Sequence, residues 1–164
     1  MAHYRSDNMT REEFLPMFQK HMQYTDEQME IFQKEPKRTD SFIKFGSEEM
    51  QKWTLVVEVK KSHGCANGQK VGDRMFFRQG CGILDTEISD PFCAFCLSSK
   101  IIMVINTVQN LILAGVSPHN FYNKAITCYD SGVENEGWGL VVMEAFVIDD
   151  KDIDQYIRED KKRK

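Results

Sequence analysis

A chain of 164 residues, 41% apolar and 28% charged, has the make-up of one globular domain with a real core and is too short for two ordinary ones. With 21 basic against 25 acidic side chains the net charge is −4, which argues against a general nucleic-acid binder with its basic face. Five cysteines, an odd number, and a start without the apolar core of an export signal read as a cytoplasmic protein whose thiols bind or react rather than cross-link.

In chain order, Thr10-x-x-Glu13 and Thr25-x-x-Gln28 are capping boxes, in which side chain and backbone satisfy each other's orphan groups. Phe14, Phe18 and Met22 recur at helical spacing, as do Met29 and Phe32, so two short helices each carry one apolar face. Pro16 predicts a kink or restart in the first, because proline donates no hydrogen bond and crowds the carbonyl four residues back. Pro36 ends the second, and residues 40–50, with Phe42, Phe45 and Met50, suggest a third that Gly46 weakens. Short helices persist only by burying an apolar face. The central domain can supply that surface, or a second copy can, and the reading is a homodimer.

Residues 53–60 (W-T-L-V-V-E-V-K) read as a strand, and residues 74–78 as a second one around Met75, Phe76 and Phe77. Asp90-Pro91 predicts a helix start, with aspartate at the cap and proline at the first helical position. That helix runs to about Ala114, where Gly115 is its left-handed stop, and being apolar nearly all round it reads as the buried centre. Its longest apolar stretch, residues 101–114, is broken by Asn106, Thr107, Gln109 and Asn110 and is too short to span a bilayer of ~30 Å. No membrane and no nucleic acid is therefore expected as a partner.

Ser117-Pro118 opens one more helical turn in this reading, and residues 124–129 and 138–148 are the last two strands, joined through Asp130-Ser131-Gly132. The mixed charges after Asp149, ending in Lys161, Lys162, Arg163 and Lys164, read as a solvated tail. The sum is an α+β fold: a small, largely antiparallel sheet packed on a long central helix, with a helical N-terminal segment. Its divisions are a helical extension at 1–50, an α+β core at 51–149 and a charged tail at 150–164; the pattern does not fix strand order.

Residues 62–73 (S-H-G-C-A-N-G-Q-K-V-G-D) carry more special residues than a plain strand connection needs. Gly64, Gly68 and Gly72 predict positive φ angles or close backbone approach. Cys65 and His63 put two soft donors on this loop, and Cys93-x-x-Cys96 and Cys128 lie where it can meet them. Near a helix start, Cys93 and Cys96 sit at its positive end, which favours thiolate. Three explanations stand side by side: a metal site (zinc or iron) of Cys65, Cys93, Cys96 and Cys128, with His63 as a substitute ligand; thiol chemistry; or plain packing, since buried cysteine is a common small hydrophobe. Cys81, in a glycine-flanked turn, is the least apt participant.

Lys70 and Asp73 are candidates to bind an anion and act as a base, against the plainer reading of a strand-entry turn. Glu144 interrupts an apolar strand and is expected to point outward into solvent. Trp138, between two glycines, reads as core packing or a pocket wall, and His119 as a surface residue; His3 and His21 join no constellation. Two functions compete: a binding or accessory protein presenting its site to a small molecule or a protein, and an enzyme using a metal to polarise a small oxygen-bearing substrate or its thiols for redox chemistry.

The run Gly64-Cys65-Ala66-Asn67-Gly68-Gln69-Lys70-Val71-Gly72-Asp73, followed by Cys93-Ala94-Phe95-Cys96 and Cys128-Tyr129-Asp130, resembles a family of small uncharacterised prokaryotic proteins. That family's pattern is G-x-C-x-x-G-H-K-V-G-D, then a cysteine at a helix start, then C-x-D before a final strand. The resemblance covers residues 54–147, and the segment 130–139 looks like a longer branch with a helical front. Gln69 stands where the pattern has histidine, so any ligand or base role of that histidine has no counterpart here. The resemblance implies a site, and no particular activity.

Overall fold

The structure is a computed structural model that describes residues 9–161, apart from the side chains of 98 and 99. His3 and the basic end at 162–164 lie outside the described residues. Contacts divide the chain into two compact units, Met1–Gln51 and Lys52–Lys164.

In the first unit the helices are α1 (Arg11–Met22), α2 (Asp26–Gln33), α3 (Pro36–Phe45) and the single turn α4 (Glu48–Gln51). Both capping boxes form. No break occurs at Pro16, and α1 runs through it. Proline here forfeits one hydrogen bond, to the carbonyl of Glu12, while Phe14 and Phe18 on either side are buried in one cluster with Met29 and Phe32. Stacking of Phe14 on Phe18 and the tilted Phe18–Phe32 pair fasten α1 to α2, and each such buried ring contributes about 1.5–3 kcal/mol. Pro36 does not merely end α2: it opens α3 at the first helical position, with Glu35 as the cap. The third helix therefore starts four residues earlier than its apolar spacing suggests, and Gly46 stops it.

The second unit holds a five-stranded antiparallel sheet in the order β3-β2-β1-β5-β4. Its strands are β1 (Trp53–His63), β2 (Arg74–Arg78), β3 (Ile83–Leu84), β4 (Tyr122–Thr127) and β5 (Leu140–Asp149). The second strand has the bounds its sequence predicts. The first is longer by three residues, because a bulge between Val59 and Lys61 lets Ser62 and His63 keep pairing with β5.

The long helix begins at Ala94 (α5, Ala94–Cys96), continues through a π-helical segment at Leu97–Ile101, and ends as α6 (Ile102–Leu113). Gly115 closes it at φ +76°. Asp90 does not cap it, because the carboxylate is engaged elsewhere: it accepts from the backbone N–H of Arg74 and pairs with Lys161 and Arg158. The helix buries one face, Ile101, Val104, Val108 and Ile112, while Ile102 and Met103 are exposed, so it is not enclosed all round. Residues 117–121 form a turn rather than a helix, closed by Phe121 N–H to Pro118 O.

Alternation along the strands makes two sheet faces. Leu55, Val57, Val59, Met143 and Ala145 are buried on one. On the other, Val56, Phe76 and Ile148 pack with Ile88 and with Ile153 and Ile157 of the C-terminal segment. Residues 150–161 are thus folded onto the sheet, not a solvated tail: the isoleucines four apart give a buried stripe among the acids, and Asp150 binds Arg78 through both carboxylate oxygens. The same face carries a charged ladder across four strands. Arg74 bonds Glu58 at 2.7 Å, Lys60 bridges Glu58 (2.9 Å) and Glu144 (3.1 Å), and Tyr122 O–H donates to Glu144 at 2.6 Å. Glu144 is therefore paired and only 18% exposed, not the freely solvated carboxylate of the sequence reading.

Candidate functional site

The three segments that carry Cys65, Cys93 with Cys96, and Cys128 come together at the end of the sheet where β1 and β4 finish and β5 begins. After His63 the chain turns at Gly64, whose φ is +61°, and the turn is fixed by backbone proximity: a Cβ there would stand 2.9 Å from Trp138 O, and one on Gly139 would overlap the Gly64 carbonyl. Glycine at both positions lets the Cys65 loop lie directly on the loop before β5. Gly68 and Gly72 take positive φ as well, as the sequence predicts.

Cys93 caps the long helix in extended conformation, and Cys96 N–H reaches back to Cys93 O at 3.0 Å. The π segment follows at once, a local winding that often accompanies functional sites. Cys128 follows the last residue of β4, where its N–H bonds Val141 O at 2.9 Å and its sulfur accepts from Val141 N–H at 3.3 Å.

These four cysteines line one cavity of about 410 Å³. Phe95, Tyr129 and Trp138 stand around it, Tyr129 76% and Trp138 80% exposed, so Trp138 is a rim residue and not core packing. Asp130 shapes the rim: its carboxylate accepts backbone N–H bonds from Gly132, Trp138 and Gly139 at 3.0–3.2 Å. Desolvation pushes against ionisation there, but these bonds outweigh it and hold the carboxyl below its ordinary range. Cys96 is 1% exposed. Burial first, then the neighbouring Cys128, Cys93 and Cys65 and a hydrogen bond to Cys93, push its thiol up to about 12. Asn67 Nδ2 donates to Cys93 Sγ at 3.0 Å.

All five cysteines are thiols, with no disulfide among them. Among the described residues no group of three or more His, Cys, Asp or Glu side chains is placed to hold a metal ion. His63 is exposed at the end of β1 and does not line the cavity. Cys81 is apart from it, fully buried at φ +62°, with burial pushing its thiol up to about 12. Lys70 and Asp73 also lie outside the cavity lining. Asp73 Oδ2 accepts the Lys70 N–H at 2.7 Å and Asp73 N–H returns to Lys70 O, the geometry of a strand-entry turn. Gln69 is buried, donates to Pro91 O at 2.8 Å, and leaves its Oε1 without a partner.

Sequence reasoning finds the cysteines and places Asn67, Tyr129 and Asp130 only as members of the motifs that carry the resemblance, with no role for any of them. Which atoms they bond is set by the meeting of the loops. No protein-family model, curated protein or solved structure matches the chain. No helix among the described residues is long and apolar enough to cross a membrane.

Proposed function

We propose that this is a binding or accessory protein of the cytoplasm whose four-thiol cavity captures a thiophilic ligand, zinc first and iron second. The observation that carries the reading is the convergence of Cys65, Cys93, Cys96 and Cys128, from three separate segments, on one cavity. Thiolates are the softest donors a protein offers and hold zinc at about 2.3 Å. Capture asks the side chains to turn toward a common point. Cys65 and Cys93 are half-buried and have room to do so; Cys96 and Cys128 are already set in the wall. Binding then releases the proton that burial keeps on Cys96. The exposed aromatic rim around the cavity suits presentation of the site to a small-molecule or protein partner.

The test is an anaerobic titration of the fully reduced protein with zinc against a chromophoric chelator, paired with cadmium to read thiolate-to-metal absorption. One equivalent of each is taken up, and Cys128→Ala loses most of that uptake. A reduced, folded chain that competes for no zinc and shows no thiolate–cadmium band overturns the reading.

We also infer a homodimer through the N-terminal helices. Its support is what their own cluster leaves exposed: Met17, Met22, Ile31 and Phe42. Light scattering decides it, since a mass near 19.1 kDa rejects the pair.

A further inference from the structure

We propose that Cys93 and Cys96 are a thiol–disulfide pair that a low-molecular-weight disulfide oxidises, with Cys93 as the attacking sulfur and Cys96 as the resolving one. The inference does not depend on metal capture.

Three observations carry it. First, the backbone turn between the two residues is closed by Cys96 N–H to Cys93 O at 3.0 Å. A turn of this kind keeps Cα atoms three apart within ~7 Å, and a disulfide spans ~4.4–6.8 Å between Cα atoms. Second, access is unequal. Cys96 is 1% exposed, whereas Cys93 is half-buried and lines both the thiol cavity and a second cavity of about 440 Å³ beside Pro91 and Phe92. An incoming disulfide reaches Cys93 before Cys96 from either side. Third, the surroundings of Cys93 suit the reaction. The Asn67 N–H at 3.0 Å from its sulfur steadies the negative charge that passes through that atom. Gln69, also lining the second cavity, holds its amide by the bond to Pro91 O and leaves a buried, unpartnered Oε1 that an N–H of the co-substrate can satisfy. That selects disulfides bearing an amide.

The steps balance. The Cys93 sulfur, giving up its proton, attacks one sulfur of RSSR; the Cys93–SR bond forms, the RS–SR bond breaks, and the departing thiolate takes the proton. Cys96 then loses its proton and attacks the Cys93 sulfur, the Cys93–Cys96 bond forms, and the second thiolate leaves with that proton. The protein is oxidised by two electrons and RSSR is reduced to two RSH.

The experiment treats reduced, metal-free full-length protein with oxidised glutathione under argon, alkylates the remaining thiols and maps the peptides by mass. Wild type is expected to release two equivalents of glutathione and to lose two hydrogens within the single peptide that carries Cys93 and Cys96. Cys96→Ser and Cys96→Ala are expected to stop with one glutathione on Cys93. Against hydroxyethyl disulfide, which has no amide, wild type reacts about tenfold more slowly, and Gln69→Leu removes that preference. Glutathione found on Cys65 or Cys128 ahead of Cys93, or no Cys93–Cys96 bond in folded wild type, overturns the proposal. An equal rate with both disulfides overturns the role of Gln69. Should both Cys96 variants fail to fold, the wild-type release and peptide mass still decide.

Discussion

On one face of β5 stands Glu144, answered by Lys60 and Tyr122; three residues earlier, on the opposite face, Val141 closes part of the thiol cavity. The two regions share strands and differ in how their polar atoms are used. In the ladder, Glu58 and Glu144 face each other in register, a repulsive arrangement that Lys60 and Arg74 turn into a bonded network. In the cavity, four thiols stand close together with weak sulfur bonds and an exposed aromatic rim. The contrast separates charged groups that answer one another within the chain from thiols gathered at a cavity. Mutations in the ladder should therefore cost stability, and mutations at the cavity should cost ligand chemistry.

The largest effect is expected at Glu58, whose side chain is 11% exposed and bonded to two cations. Glu58→Ala should lower unfolding free energy by about 3 kcal/mol, since Arg74 loses its anion in a partly buried place and Lys60 keeps only Glu144. Denaturant melts measure this, and thiol reactivity at the cavity should stay unchanged. A cost below that of the cavity variants would break the comparison.

Next comes Gly139→Ala, which forces apart the loops that carry Cys65 and Trp138. A loss of about 1–3 kcal/mol is expected from overpacking, together with most of the zinc uptake. Cys128→Ala should cost only about 1 kcal/mol, the value of a small buried group, while abolishing most of the cadmium–thiolate band. That pairing of small stability loss with large binding loss is the sharpest form of the contrast.

Acid should act on the ladder through Glu58. Burial works to raise its carboxyl, but hydrogen bonds from Lys60 and Arg74 outweigh it and hold the group below its ordinary 4.5. Its contribution is therefore complete above 4.5 and is lost as pH falls through the lower folded value. Denaturant melts at successive pH values should show a steep acid limb that Glu58→Gln flattens. The smallest effect is expected from Tyr122→Phe, which removes one bond from an exposed hydroxyl and should cost less than about 1 kcal/mol.

What the sequence disclosed follows the range of the interactions. Capping boxes, the bounds of β2 and the Gly115 stop are settled within a few residues, and all three stand where local chemistry puts them. The helix start moved from Pro91 to Ala94 because Asp90 is held by Arg74, Arg158 and Lys161, partners that no local pattern reveals. Ile153 and Ile157 were hidden among acids, and their burial depends on a sheet face assembled far upstream. At the site, residue type marked the cysteines and glycine spacing marked the loop. The parts played by Asp130, Asn67 and Trp138 depend on which loops meet, and the sequence of any one loop is silent on that.

The π segment at Leu97–Ile101 has a consequence for how this helix can change. A π turn holds one residue more than an α turn, so it behaves as an insertion absorbed without breaking the rod. Five π residues turn the chain about as far as four α residues, so removing one there would restore regular winding and leave both flanks facing as they do now. Val104, Val108 and Ile112 on one side and Cys93 and Cys96 on the other would keep their places. A single-codon deletion could thus leave a folded chain whose thiols still meet, and so read what the π turn itself contributes with no cysteine replaced.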